Sequence, residues 1–112
     1  MFVWFEGVIF GSGLAPCIEG LSRIKTAKGY TFKISYRTED EWTDGLVFKL
    51  FCTFSKHNEE ISFTSVGHSN IKKGYHHTEI NIPKVYRDRY GYIKFYRVEL
   101  YHNGILVSLK SL

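Results

Sequence analysis

The sequence predicts an all-β domain, a two-sheet antiparallel sandwich of seven or eight short strands with almost no helix. Three observations carry this. Runs rich in Val, Ile, Thr, Tyr and Phe are punctuated at short intervals by ten glycines and two prolines. The clearest runs alternate apolar and polar residues with period two, the signature of one dry and one wet face. No stretch of ten or more residues keeps a 3.6-residue period without a Gly or β-branched interruption. The 112 residues are near the commonest size for one domain, and residues 1–112 are expected to form a single one. An apolar fraction of 44% argues against disorder. An aromatic fraction of 17% supplies large buried areas per residue, so the domain can fold without staples.

The expected elements follow in order. Residues 2–10 form a first strand, closed by the turn Gly11-Ser12-Gly13. Phe2, Trp4, Val8 and Phe10 share one of its faces; Val3, Phe5 and Ile9 share the other. Residues 14–20, with Pro16, read as an irregular connection, and 21–27 as a short edge strand or an extension of that connection before the turn Lys28-Gly29. Residues 30–37 are the cleanest strand, with Tyr30, Phe32, Ile34 and Tyr36 alternating with Thr31, Lys33, Ser35 and Arg37. A polar loop over 38–45 leads to a strand over 46–54, with Leu46, Phe48, Leu50, Cys52 and Phe54 on its dry face. A turn over 55–60 precedes a strand over 61–66, and a loop over 67–74 precedes one over 75–82. Pro83 ends that strand, having no donor to continue a ladder. Residues 84–91 read as a charged loop. Residues 92–101 and 105–109 pair as a hairpin around His102-Asn103-Gly104. The dry face of these runs predicts a core of Phe32, Ile34, Tyr36, Phe48, Leu50, Cys52, Phe63, Ile80 and Ile82, with Lys33, Arg37 and Lys49 exposed.

The strand over 92–101 breaks its own phase. Ile93 and Phe95 have odd parity, Val98 and Leu100 even, and a regular strand cannot send all four to one core face. A β-bulge near Tyr96–Arg97 that resets the phase is the expectation.

Seven short strands and a closing hairpin resemble an immunoglobulin-like sandwich. The sequence has no Cys–Trp–Cys framework, because Cys17 and Cys52 come too early in the chain. The resemblance is therefore one of architecture and carries no function.

Charge is uneven. Residues 1–71 hold seven Lys and Arg against eight Asp and Glu; residues 72–112 hold eight against three. The whole excess of +4 lies in the last third. There Lys72, Lys73, Lys84, Arg87, Arg89, Lys94 and Arg97 interleave with Tyr75, Tyr86, Tyr90, Tyr92 and Tyr96. Cations beside stacking aromatics suit single-stranded nucleic acid or another anionic polymer. Tyr and Arg are also enriched at protein interfaces. No RNA-binding signature accompanies them.

Chemistry is sparsely signalled. His57, His68, His76, His77 and His102 show no metal-ligand spacing, and neighbouring His76 and His77 point to opposite faces of a strand. The acidic run Glu39-Asp40-Glu41, with Asp44, matches no calcium-loop order. None of the serines lies in a nucleophile elbow. Cys17 and Cys52 are compatible with one disulfide or with two buried thiols. No cofactor fingerprint is present. The apolar start is interrupted by Glu6 and lacks a positive leader, so no signal peptide is expected, and no run approaches the ~20 apolar residues of a membrane helix.

The expectation is a non-catalytic binding module whose partner is a protein or a second copy of itself. Its binding residues are expected among Trp4 and Phe5 of the two-sided first strand, Lys72, Lys73, Tyr86, Arg87, Arg89 and Tyr90 of the basic segment, and Phe95. Nucleic-acid binding through residues 72–97 is the second reading. A small enzyme using a loop histidine or cysteine is the third.

Overall fold

The computed structural model describes residues 15–111. The expected first strand over 2–10, with Trp4 and Phe5, lies outside them. Seven strands and one helix follow: β1 (Cys17–Thr26), β2 (Gly29–Thr43), β3 (Leu46–Phe54), β4 (Ile61–Thr64), β5 (Ile71–Pro83), α1 (Lys84–Tyr90), β6 (Ile93–His102) and β7 (Ile105–Ser111). Every pairing is antiparallel. One sheet has the order β1-β2-β5, the other β4-β3-β6-β7.

The period-two runs face each other across the sandwich. Phe32, Ile34, Tyr36, Ile80 and Ile82 from the first sheet meet Leu46, Phe48, Leu50, Cys52, Phe54, Ile93, Val98 and Leu100 from the second, all buried. Edge-on and tilted ring pairs bridge the layers: Phe32 with Tyr96 at 4.9 Å and Tyr36 with Phe48 at 5.0 Å. Phe63 is only half-buried, because β4 is a four-residue edge strand. Arg37 and Lys49 are half-buried rather than exposed. Arg37 is held by Glu19 and Glu39, while Lys49 lies over the ring of Tyr101.

Several boundaries differ from those expected, each for a local reason. β1 starts at Cys17, inside the expected connection. Its ladder to β2 skips Glu19, and that bulge absorbs the irregularity. β2 continues through the acidic run to Thr43, and β5 begins already at Ile71. Residues 39–41 stand opposite Lys73 alone between the pairs Thr38–Gly74 and Trp42–Lys72, so the charged residues bulge out while the ladder resumes beyond them.

The charged loop over 84–91 is in fact helix α1. Its seven residues are too few for a periodicity reading. Tyr86 and Tyr90, one turn apart, press onto Phe54, and Tyr86 also meets Phe63. Gly91 then ends the helix at φ +90°, its N–H donating to the Arg87 carbonyl at 2.9 Å. A Cβ there would stand 2.1 Å from Ser55 Oγ, so glycine is required twice over.

The closing hairpin is as expected. Asn103 and Gly104 both have positive φ, the geometry of a two-residue turn matched to strand twist. The bulge in β6 exists, but at Lys94: Thr53 pairs with Phe95 and Phe54 with Ile93. Ile93 is thereby returned to the core while Phe95 stays outside, 62% exposed.

Candidate functional site

The nine residues expected to bind do not form one surface. Trp4 and Phe5 lie outside the described residues. Lys72 and Lys73 are exposed at the start of β5, and α1 follows its far end. The strand between them spans about 35 Å at the usual rise per residue. Tyr86 and Tyr90 spend their rings on Phe54, Phe63 and His57. Arg87 donates to the carbonyls of Thr26 at 3.1 Å and Gly29 at 3.4 Å and lies over Tyr30, fastening α1 to the β1–β2 turn. Arg89 is exposed at the end of α1. The basic, tyrosine-rich segment 72–97 is therefore divided between the two ends of the molecule, with Tyr86, Tyr90 and Tyr96 committed to packing and Tyr75 and Tyr92 left exposed.

Phe95 lies on a surface that does cohere, the outer face of the β4-β3-β6-β7 sheet. Cross-strand partners share a face. Val47 pairs with Tyr101, Lys49 with Glu99, Phe51 with Arg97 and Thr53 with Phe95. Tyr101 continues to Leu106 and Glu99 to Leu109 on β7. The wet face of this sheet thus carries three aromatic and three aliphatic side chains. Phe95, Leu106 and Leu109 are the most open of them.

A polar network threads through these residues. Glu99 is only 9% exposed although it faces away from the core. Tyr101 donates to its Oε1 at 2.6 Å, and Arg97 Nε donates to its Oε2 at 3.3 Å. Arg97 also bonds Glu60, and its guanidinium lies 4.2 Å over Phe51. Lys49 caps Tyr101 at 4.9 Å. The hydrogen bond to Glu99 holds the Tyr101 phenol proton and pushes its pKa above the usual value. The hydrogen bond to Glu60 does the same for Arg97. Arg97 is paired with Glu99 on its own strand and with Glu60 just before β4, and Lys49 rests on the Tyr101 ring, so the network is a prearranged surface.

Phe51, Leu106 and Leu109 were not expected in a site. A signal for Phe51 was present, since the run over 46–54 places Val47 and Phe51 on its wet face and is apolar on both sides. Leu106 and Leu109 carry no such mark, because the bulge that skips Val107 between Leu100–Ser108 and Tyr101–Leu106 sets which way they point.

The cysteines and the ring-stacked histidines His68 and His76 are placed apart from this face. Both cysteines are free thiols, Cys17 half-buried and Cys52 in the core. His68 lies edge-on to Phe48, and His76 lies against Tyr36. Among the described residues, no three His, Cys, Asp or Glu side chains converge on a metal position. No described helix is long and apolar enough to cross a membrane.

No family model matches this chain, and no curated protein matches it. Among solved structures, it is similar to a protein from Akkermansia muciniphila at 17% identity and a TM-score of 0.67, covering 86% of this chain and 68% of that one. What the two share, at that identity, is the two-sheet fold.

Proposed function

We propose that the domain works by binding, not by catalysis, and that it recognises a protein surface through the outer face of its four-stranded sheet. Self-association is the first form of that binding to test. One observation carries the reading: an outer sheet face on which Phe51, Phe95, Leu106 and Leu109 surround the satisfied network of Glu99, Arg97 and Tyr101. Aromatic residues and Arg are the types that anchor protein interfaces, and charges already paired within the sheet lose less on being covered than free ones. An immunoglobulin-like reading of the sandwich belongs to the same proposal. What supports it is the strand order, which is the constant-type arrangement with the fourth strand moved from one sheet to the other.

The test is molar mass by light scattering from about 10 μM to about 1 mM, a range that reaches weak dimers. The wild type should rise towards twice the monomer mass. Phe95→Asp and Leu109→Asp should stay monomeric with stability changed by less than about 0.5 kcal/mol, as at other surface positions. A wild type that keeps monomer mass throughout would overturn self-association and turn the search to a different protein partner.

A further inference from the structure

We propose that the cavity beside the β1–β2 turn binds a small organic phosphate, with its apolar body in the cavity and its phosphate on Lys28 and Asn81. This inference does not rest on the outer-face reading, since the cavity belongs to the β1-β2-β5 sheet.

The turn and the end of β5 build the cavity together. Thr26 Oγ1 donates to the Gly29 carbonyl at 3.3 Å and accepts from the Lys28 N–H at 3.2 Å, which fixes Ala27 and Lys28 at the tip. Arg87 holds the same turn from α1 through the carbonyls of Thr26 and Gly29. Gly29 pairs with Pro83 at φ +135°, and a Cβ there would stand 1.9 Å from the Ile82 carbonyl. Its bare backbone lets the end of β5 approach the turn closely. Between turn and strand lies an open cavity of about 600 Å³, lined by Ala27, Lys28, Thr31, Asn81, Ile82 and Pro83 among others. Small-ligand sites span about 300–1,000 Å³.

The walls suit an apolar body and the polar groups suit an accepting head. Ala27, Ile82 and Pro83 make the lining mainly apolar. Thr31 Oγ1 donates to Asn81 Oδ1 at 2.8 Å, which leaves the two N–H donors of the Asn81 amide for another acceptor. Lys28 adds an ammonium, a group that donates and cannot accept.

Charge names the head. Residues 23–31 and 80–90 meet at this end of the sheet and carry Arg23, Lys25, Lys28, Lys84, Arg87 and Arg89 against Asp88 alone. Arg23 and Arg87 are committed to main-chain carbonyls and to the Tyr30 ring, while Lys25, Lys28, Lys84 and Arg89 are exposed. Such a field favours an anion over a neutral or cationic ligand. A phosphate monoester carries about −1.5 to −2 at neutral pH and three acceptor oxygens, so it engages the ammonium and the amide at once.

The experiment follows amide NMR shifts of the full chain in titrations with phenyl phosphate, inorganic phosphate and phenol at about 50 mM salt, where charge is weakly screened. Phenyl phosphate should shift residues 26–31 and 81–84 and the Asn81 side-chain amide, saturating below about 10 mM. It should bind at least about tenfold more tightly than inorganic phosphate, which lacks the body, and than phenol, which lacks the charge. Lys28→Glu and, separately, Asn81→Asp should each weaken phenyl phosphate at least about tenfold while the shifts of Leu50 and Val98 stay in place. Lys28 stands at an exposed turn, so the test survives if Asn81→Asp disturbs the ladder. Inorganic phosphate or phenol binding as tightly as phenyl phosphate would overturn the proposal, because charge or apolarity alone would then account for it. So would shifts that do not saturate, shifts centred elsewhere on the chain, or an affinity that Lys28→Glu leaves unchanged.

Discussion

Leu50 illustrates what period-two reading secures at the scale of one residue. It is fully buried, flanked on its strand by Phe48 and Cys52, and pairs across the ladder with Val98. Leu50→Ala should cost about 2–5 kcal/mol in a urea unfolding series, the sum of lost transfer energy and the cavity left behind. A change within about 0.5 kcal/mol would mean that the site collapses freely, as a surface position does. Its neighbour Cys52 makes a second prediction. Burial pushes its thiol from an ordinary 9.0 up to about 12, with Arg23 lowering it and Glu60 raising it by smaller amounts. The folded chain therefore holds this proton more tightly than the unfolded chain does. That contribution is complete below about pH 9 and is lost as the pH rises towards 12. Native protein at pH 8 should show one thiol, Cys17, open to a disulfide reagent, with Cys52 reacting only on unfolding. Cys52→Ala should flatten the alkaline fall in stability. Two equally fast thiols at pH 8 would contradict the burial.

At the scale of elements, phase was legible and position was not. Parity shows that an extra residue lies between Phe95 and Val98 if both Ile93 and Phe95 are core, and this places the bulge at Tyr96–Arg97. The bulge lies instead at Lys94, because Phe95 is an exposed aromatic that apolarity alone counts as buried. With Lys94 set aside, Ile93, Tyr96, Val98 and Leu100 alternate strictly. Deleting Lys94 should therefore heal the ladder and keep Ile93 inside, at a cost of about 1 kcal/mol or less. Deleting Arg97 instead also leaves Ile93 in phase, but it turns Tyr96 outward, brings Phe95 inward and removes the ion pairs of Arg97, and should cost more, about 2 kcal/mol or above. Equal effects of the two deletions in denaturant melts would refute this placement. Helix α1 was missed for a different reason. Its propensity is ordinary and its length sub-threshold, and what holds it is tertiary: Tyr86 and Tyr90 on Phe54, and Arg87 on two carbonyls of the β1–β2 turn. A sequence states the charge of such a segment more plainly than its packing, so a loop of solvated cations was the natural expectation. The expected strands over 46–54, 61–66 and 75–82 needed no such context to be found, since alternation and turn residues agree there, although the second stops at Thr64 and the third begins at Ile71.

At the scale of the molecule, the same packing decides how charge is displayed. The excess of the last third looks like one basic strip when read along the chain. Folded, Lys72 and Lys73 stand at one end of β5, while Lys84 and Arg89 lie beyond the other. Arg87 is turned inward onto carbonyls, and Arg97 is held between Glu60 and Glu99 over Phe51. Candidate sites were therefore less legible than the fold, because a site depends on which cations remain unpaired and adjacent, and pairing partners such as Glu60 are remote in sequence. This has a measurable consequence. On single strands each neutralised phosphate adds about −0.7 to the slope of log affinity against log salt. A strip using all seven cations of segment 72–97 would approach a slope of about −5, whereas one end of the molecule offers two or three free cations of that segment, which together contribute no more than about −2. Titrating a single-stranded oligonucleotide between about 50 and 200 mM salt separates the two, since contacts with phosphate are strongest at the low end. The expected result is the shallow slope or no binding, with Arg97→Ala leaving it unchanged. A slope near −5 that flattens with Arg87→Ala, Arg89→Ala and Arg97→Ala alike would mean that Arg87 and Arg97 leave their partners for phosphate, and nucleic acid would then replace protein as the proposed partner of this domain.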